Sequence, residues 1–497
     1  MQPLPALIHS TATVRAADRY AIDVLKVPGY VLMTRASEAA LGALRAQWPL
    51  ARRVLVLCGT GNNGGDGYVL ARYARATGLA VTLAAPTGPP TVPDAVVAYE
   101  EWTEAGGTVE PWDAGLLART DVVVDALFGT GLKRAVDGTA AEVIAAVNAA
   151  GRPVLALDTP SGLDTETGQP RGSAVRATLT VAFVGLKPGF FLGRGPEYVG
   201  RLACDDLDVP AEAFGTDAGV LRRITELELR RALPRRPRTA HKGDQGRVLI
   251  VAGGPGMAGA ARLAGEAALR AGAGLVTLGT APAHAAVLAA ARPEFIAVGL
   301  EDGAQLEPLI EAADIVAIGP GLGQTAWAES LVSAAFAAAK PLIVDADALN
   351  LLARAPRSRA NWCLTPHPGE AARLLGTDVA SVQADRLAAV RSLASRYGAV
   401  AVLKGAGTLI ATGHEAPYIC ERGNPGMAVA GMGDVLTGVI AGIGAQQADP
   451  AAALALAAAV GVLVHASAGD LMARQGERGL LASDLIAQLP ACVNPSS

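Results

Sequence analysis

Residues 423–438 read GNPGMAVAGMGDVLTG, with a single carboxylate, Asp434, placed after four glycines (Gly423, Gly426, Gly431 and Gly433). An apolar helical run, Val435-Leu436-Thr437-Gly438-Val439-Ile440, follows at once. Glycines keep side chains off the backbone, and bare N–H groups at a helix start make an anion site. A carboxylate there can take a proton from a hydroxyl while the N–H groups hold a phosphate in transit. The plainer alternative is an N-cap aspartate on a tight loop. The first half carries a second glycine-rich stretch, GTGNNGGDG at residues 59–67, between a short apolar strand and a helix beginning near Tyr68. It satisfies the dinucleotide fingerprint G-x-G-x-x-G. That fingerprint also needs an acid at the end of the next strand, and residues 80–85 run into Pro86-Thr87-Gly88 without one. Asn62, Asn63 and Asp66 instead suit a cation or substrate hydroxyls, so hydride transfer is the weaker reading.

These groups need a frame. Strands are expected at 53–58, 80–85, 121–127 and 154–158 in the first half. In the second they are expected at 247–253, 315–318, 341–345, 362–365 and 399–404. Helices alternate with them, including 13–26, 33–46, 68–77 and 260–272. That alternation predicts α/β architecture, with parallel sheets, right-handed crossovers and ligands beyond the carboxyl ends of the strands. Asp125, Asp158 with Ser161, Asp345, His367 and Lys404 all fall at such ends. Any one of the aspartates alone is more simply a loop or cap residue. No G-x-x-x-x-G-K-[ST] stretch and no protein-kinase motif set occurs.

Composition narrows the classes. The 497 residues suffice for two or three domains, with a net charge of -4 and 4% aromatics. Neither a basic footprint nor stacking platforms for nucleic acid are present. Five cysteines (Cys58, Cys204, Cys363, Cys420, Cys492) are scattered without CxxC pairs. This fits a reducing, cytoplasmic setting rather than a disulfide framework or zinc site. The N-terminus lacks the pattern of a signal peptide. The uncharged run 451–469 is Ala-rich and contains His465, which predicts a buried helix and no membrane association.

Seven stretches of the second half, HKGDQGRVLIVAGG, GMAGAARLAGEAALRAGAG, IGPGLG, VDADALNLL, TPHPGE, LKGAGT and the 423–438 stretch, occur in an order that resembles the ADP- or ATP-dependent NAD(P)H-hydrate dehydratases. These are a branch of the ribokinase-like superfamily, and the likeness spans nearly all of 241–490. In the first half GNNGGDG, DALFGTGL, DTPSGLD and GLKPGFFLGRGPEYVGRL resemble the NAD(P)H-hydrate epimerase domain over about residues 15–210. The resemblance implies an N-terminal Rossmann-like α/β/α sandwich (1–218), a linker or first helix (219–238) and a C-terminal ribokinase-like α/β/α domain (239–497).

It implies a potassium site from Asn63, Asp125 and Ser161. It implies hydrate contacts in the epimerase from Asn62, Asn63, Gly64, Gly65, Asp66, Gly129, Thr130, Gly131, Leu132, Lys133, Arg134, Ala135 and Asp158. Our own expectation is that Asp158 moves a proton as a carbon–oxygen bond opens and recloses. In the dehydratase it implies hydrate contacts at Ala260 or Ala261, Gly323, His367 and Asp434, with Asp434 as base. Nucleotide contacts are implied at Lys404, Gly405, Ala406, Gly407, Thr408 and Gly433, with Mg2+ accompanying ADP; the residues themselves leave ADP or ATP open. NAD(P)H hydrate and ADP are the expected partners, and a homo-oligomer is expected. One departure stands at Ala36-Ser37, where the family often has Ala-Gly. The rival reading is a hydroxymethyl kinase with an N-terminal scaffold, a fold shared with RNA-decapping scaffolds. The intact polar set and the lack of net positive charge weigh against the scaffold.

Overall fold

Alternation of buried apolar strands with helices builds two compact units, Met1–Leu221 and Arg222–Ser497. The computed structural model describes residues 3–413 and 415–494. In the first unit a parallel sheet runs in the order Ala80–Ala84, Arg53–Cys58, Val122–Ala126, Val154–Leu157, Leu179–Phe183, Arg201–Asp205. Its strands are apolar on both faces because both are covered. Val54 and Val56 pack with Leu44 and Tyr68 on one side, whereas Leu55 and Leu57 pack with Ile144 and Val147 on the other. This period of two gives the three-layer sandwich. Strand order reverses between Arg53–Cys58 and Val122–Ala126, so a crevice opens beyond their carboxyl ends.

One expectation needs correcting here. The glycine-rich stretch is not a loop leading to a helix at Tyr68. The helix spans Asn62–Ala76, placing Asn62, Asn63, Gly64, Gly65 and Asp66 in its first turns. The glycines serve close packing. A Cβ on Gly64 would stand 1.9 Å from the Gly59 carbonyl oxygen, and one on Gly67 2.7 Å from the Ala126 Cβ. The first helix also starts earlier than expected, at Thr11, because the Ser10 hydroxyl accepts the Thr13 N–H at 3.0 Å.

The second unit's sheet contains the order Tyr418–Cys420, Thr408–Ala411, Val400–Leu403, Trp362–Leu364, Leu342–Val344, Ile315–Ile318, Arg247–Val251, Leu275–Thr280, Phe295–Gly299. Pairing is parallel from Val400–Leu403 onward, while Thr408–Ala411 is antiparallel to both its neighbours. Order reverses between Arg247–Val251 and Ile315–Ile318. Helix Met432–Ala445 lies against helix Ala258–Arg270, and its glycines permit the approach: a Cβ on Gly438 would meet the Ala264 carbonyl oxygen at 2.0 Å. Helix Leu454–Ala473 is long and apolar enough to cross a membrane, but 72% of its most apolar window is buried inside the unit. Within 219–238, helix Glu226–Ala232 carries a Thr225/Glu228 capping box and sends Ala232 into the second unit's core.

Candidate active sites

In the first unit, Asp125 sits near the end of its strand, 1% exposed. Its carboxylate accepts the Ser161 N–H at 2.8 Å, the Ser161 hydroxyl at 2.6 Å and the Leu127 N–H at 3.3 Å. Burial nevertheless pushes its pKa up to about 6. Asn63 is buried beside them with neither amide oxygen nor amide nitrogen paired. A Cβ on Gly129 would lie 3.8 Å from its Oδ1. A buried amide without partners is costly, so this cluster is built to receive something.

Asp158 follows the strand Val154–Leu157 in the left-handed region, at φ 61. For a non-glycine residue such strain marks a position held by its surroundings. Its Oδ1 accepts hydrogen bonds from the Phe183 N–H at 3.2 Å and from the Lys187 ammonium. Lys187 is 1% exposed and also donates to the Phe183 carbonyl at 3.0 Å. Two more carboxyls share this field. Burial, then Asp158 and Asp18, hold the Asp66 pKa well above the usual carboxylate range. Burial and then Asp158 raise that of Asp18, with Lys187 opposing. The segment Gly129 to Ala135 continues from the Asp125 strand, with Gly131, Lys133, Arg134 and Ala135 exposed and Thr130 and Leu132 half-buried.

In the second unit the reversal is stitched by two backbone bonds, Gly253 N–H to Pro320 O at 3.0 Å and Gly254 N–H to Gly321 O at 2.8 Å. Gly319, Gly321 and Gly323 have φ of 128, 54 and 79, conformations that call for glycine. Gly323 donates to Asp347 Oδ2 at 2.8 Å. Ala261 is fully buried in the core, and Ala260 is 7% exposed. A Cβ on Gly321 would lie 2.8 Å from the Cβ of Ala260.

The centre of this site is a carboxylate absent from the expected contacts. Asp345, 1% exposed, accepts from the Lys404 ammonium at 2.8 Å, the Thr365 hydroxyl at 2.8 Å and the Thr437 hydroxyl at 2.8 Å. Lys404 also lies 3.8 Å from Glu370. Asp345, Glu370 and Asp434 together hold the Lys404 pKa up against its burial. Asp434 lies in the first turn of helix Met432–Ala445. Burial and then Asp345 push its pKa up to about 6, with Lys404 opposing. A Cβ on Gly433 would lie 3.4 Å from the Lys404 Nζ. The structure thus brings Lys404, Gly433 and Asp434 to one helix N-terminus.

His367 caps helix Pro368–Leu375. Its Nδ1 accepts the Gly369 and Glu370 N–H groups at 3.0 and 3.4 Å, and Glu370 accepts the His367 N–H at 2.8 Å. The Nε2 lies 3.5 Å from Glu370 Oε1, on a side chain that is half exposed. From Lys404 the chain turns through Gly405 (φ 134), Ala406 and Gly407 (φ 64) to Thr408, whose hydroxyl donates to the Gly405 carbonyl at 2.8 Å.

Residues 29–189 match the family described as YjeF-related protein N-terminus, and residues 248–491 the one described as NAD(P)H-hydrate dehydratase. The bifunctional NAD(P)H-hydrate repair enzyme Nnr of Coxiella burnetii is 44% identical over 494 residues, 98% of this chain and 100% of that protein. The chain belongs to the bifunctional NAD(P)H-hydrate repair enzymes. The Escherichia coli member is 45% identical, over 99% of this chain and 95% of its own length. A ribokinase-like superfamily protein from Enterococcus faecalis superposes with a TM-score of 0.50 at 31% identity, covering 55% of this chain and 95% of its own. For a repair enzyme read from its sequence, Lys187, Asp18, Thr365 and Thr437 are the residues missed, and Asp345 was placed at a strand end but given no contact. Lys187 and Asp345 lie inside stretches that carry the likeness, in GLKPG and VDADALNLL, and that was the available signal. Nothing local marks Asp18.

Proposed function

We propose that the second unit (239–497) dehydrates the S form of NAD(P)H hydrate with ADP as phosphoryl donor, and that the first (1–218) interconverts the S and R forms. The observation that carries this reading is the grouping of Asp434, Lys404 and Gly433 at a glycine-opened helix N-terminus. Asp434 takes the proton from the hydroxyl on the hydrated ring carbon. The hydroxyl oxygen bonds to the β-phosphorus as the bond to the α-phosphate oxygen breaks, releasing AMP. The ring nitrogen's electron pair then expels phosphate, a proton leaves the neighbouring carbon, and the ring double bond is restored. Lys404, aligned by Asp345, and the N–H groups of the first turn hold the moving phosphoryl group. The loop through Gly405, Ala406, Gly407 and Thr408 lies against the nucleotide. Gly323, Ala260 and His367 face the hydrate. Mg2+ carried on the ADP phosphates would supply charge neutralisation beside the carboxylates of Asp345, Asp347 and Asp434.

In the first unit Asp158, in contact with Lys187, moves the proton as the carbon–oxygen bond opens and recloses on the other face. Asp125, Ser161 and the unpaired Asn63 oxygen form a hard-oxygen set suited to potassium, which would fix the surrounding loops. Asn62 and Asp66, with the segment from Gly129 to Ala135, flank the approach to Asp158, while Gly64 and Gly65 let the helix that carries them pack closely. Phosphate and AMP release from S-form NADH hydrate, ADP and Mg2+ tests the dehydratase directly. A stable phosphorylated product would instead mark a hydroxymethyl kinase.

A further inference from the structure

Arg386 opens helix Arg386–Tyr397 and is 6% exposed. Its guanidinium donates to the carbonyls of Leu403 at 3.1 Å, Lys404 at 3.2 Å and Gly407 at 3.4 Å, and to Gln383 Oε1 at 2.9 Å. Among the described residues no carboxylate forms an ion pair with it, and its Nε has no partner. Burial lowers its pKa to about 10.

This placement is unfavourable twice over. A buried cation held only by neutral acceptors keeps a desolvation penalty that no opposite charge offsets. The first turn of a helix also repels positive charge through the macrodipole. A fold that keeps two such conflicts at one residue does so most readily at a functional site. The carbonyls it gathers belong to the strand end and turn that lead from Lys404 to Thr408. The turn is moulded on the guanidinium: Gly405 adopts φ 134, and a Cβ there would lie 3.1 Å from Nη1.

We propose that Arg386 is a positioning residue of the nucleotide site, shaping the turn after Lys404 and receiving from the ADP phosphates the negative charge that its own surroundings do not supply. This rests on the ADP-dependent reading of the second unit. The turn and the charge act together, so losing the guanidinium should weaken ADP more than uncharged adenosine.

The test compares full-length wild type with Arg386→Gln and Arg386→Lys. Calorimetry gives the Kd of ADP and of adenosine, and steady-state assays give KM for ADP and for the hydrate. For Arg386→Gln, Kd and KM for ADP should rise on the order of tenfold or more. Adenosine binding and KM for the hydrate should change far less. Arg386→Lys should recover part of the ADP affinity and serves if the glutamine variant does not fold. Equal losses for ADP and adenosine, or ADP affinity unchanged in the lysine variant and in a folded glutamine variant, would overturn the proposal. If wild type is active without ADP and binds none, the nucleotide reading itself fails, and this inference with it.

Discussion

Asp434 is where acid–base chemistry is most exposed to test. Its pKa is raised by burial from 3.8 to about 6, so dehydratase kcat/KM should fall as pH drops through about 6, where the base becomes protonated. Asp434→Asn should lower kcat by about 10²–10⁴-fold in a phosphate-release assay. The stability effect has the opposite sense. A folded-state pKa above the unfolded one favours folding when the group is protonated. The contribution is complete below 3.8 and lost as pH rises through about 6. Asp434→Asn should therefore raise Tm more at about pH 8 than at about pH 5, a difference thermal denaturation can read. In the first unit, Asn63→Ala should remove any potassium dependence of epimerisation. A variant with the potassium response of wild type would sink that assignment. Among single residues, the aspartates at strand ends were legible only together: each alone reads as a loop or cap residue, and their recurrence at the carboxyl ends of parallel strands points to a cleft. Arg386 was not, being one of 42 Lys and Arg residues with nothing local to mark its burial.

At the scale of elements, close packing and loop anchoring decide the sites. Gly438→Ala would place a methyl 2.0 Å from the Ala264 carbonyl oxygen. It should destabilise the second unit by ~1–3 kcal/mol, measured as a lower denaturation midpoint, and shift the helix that carries Asp434. The glycine loop is anchored at its start, where Asp470 accepts the Gly423 N–H at 3.1 Å and an Asn424 side-chain N–H at 3.1 Å. Asp470→Ala should lower dehydratase kcat by about tenfold or more through a misplaced loop, with epimerase activity unchanged. Strand positions were readable from apolar runs that end in polar or glycine residues. The start at Asn62 was not, because glycines that let a helix lie on a strand look in sequence like glycines of a loop. His367 shows the same limit from another side: its capping bonds depend on backbone geometry that residue type alone does not reveal.

For the whole molecule, each unit has its own reversal of strand order and its own cluster of buried polar residues. Two chemistries on one chain follow naturally. The most direct measurement is recovery of reduced-nicotinamide absorbance when the full-length protein acts on mixed-epimer NADH hydrate with ADP, Mg2+ and potassium. The account predicts recovery of all the absorbance, faster than the epimers interconvert unaided. Recovery that stalls at the S fraction would contradict the epimerase assignment, and no recovery with either ADP or ATP would contradict the dehydratase.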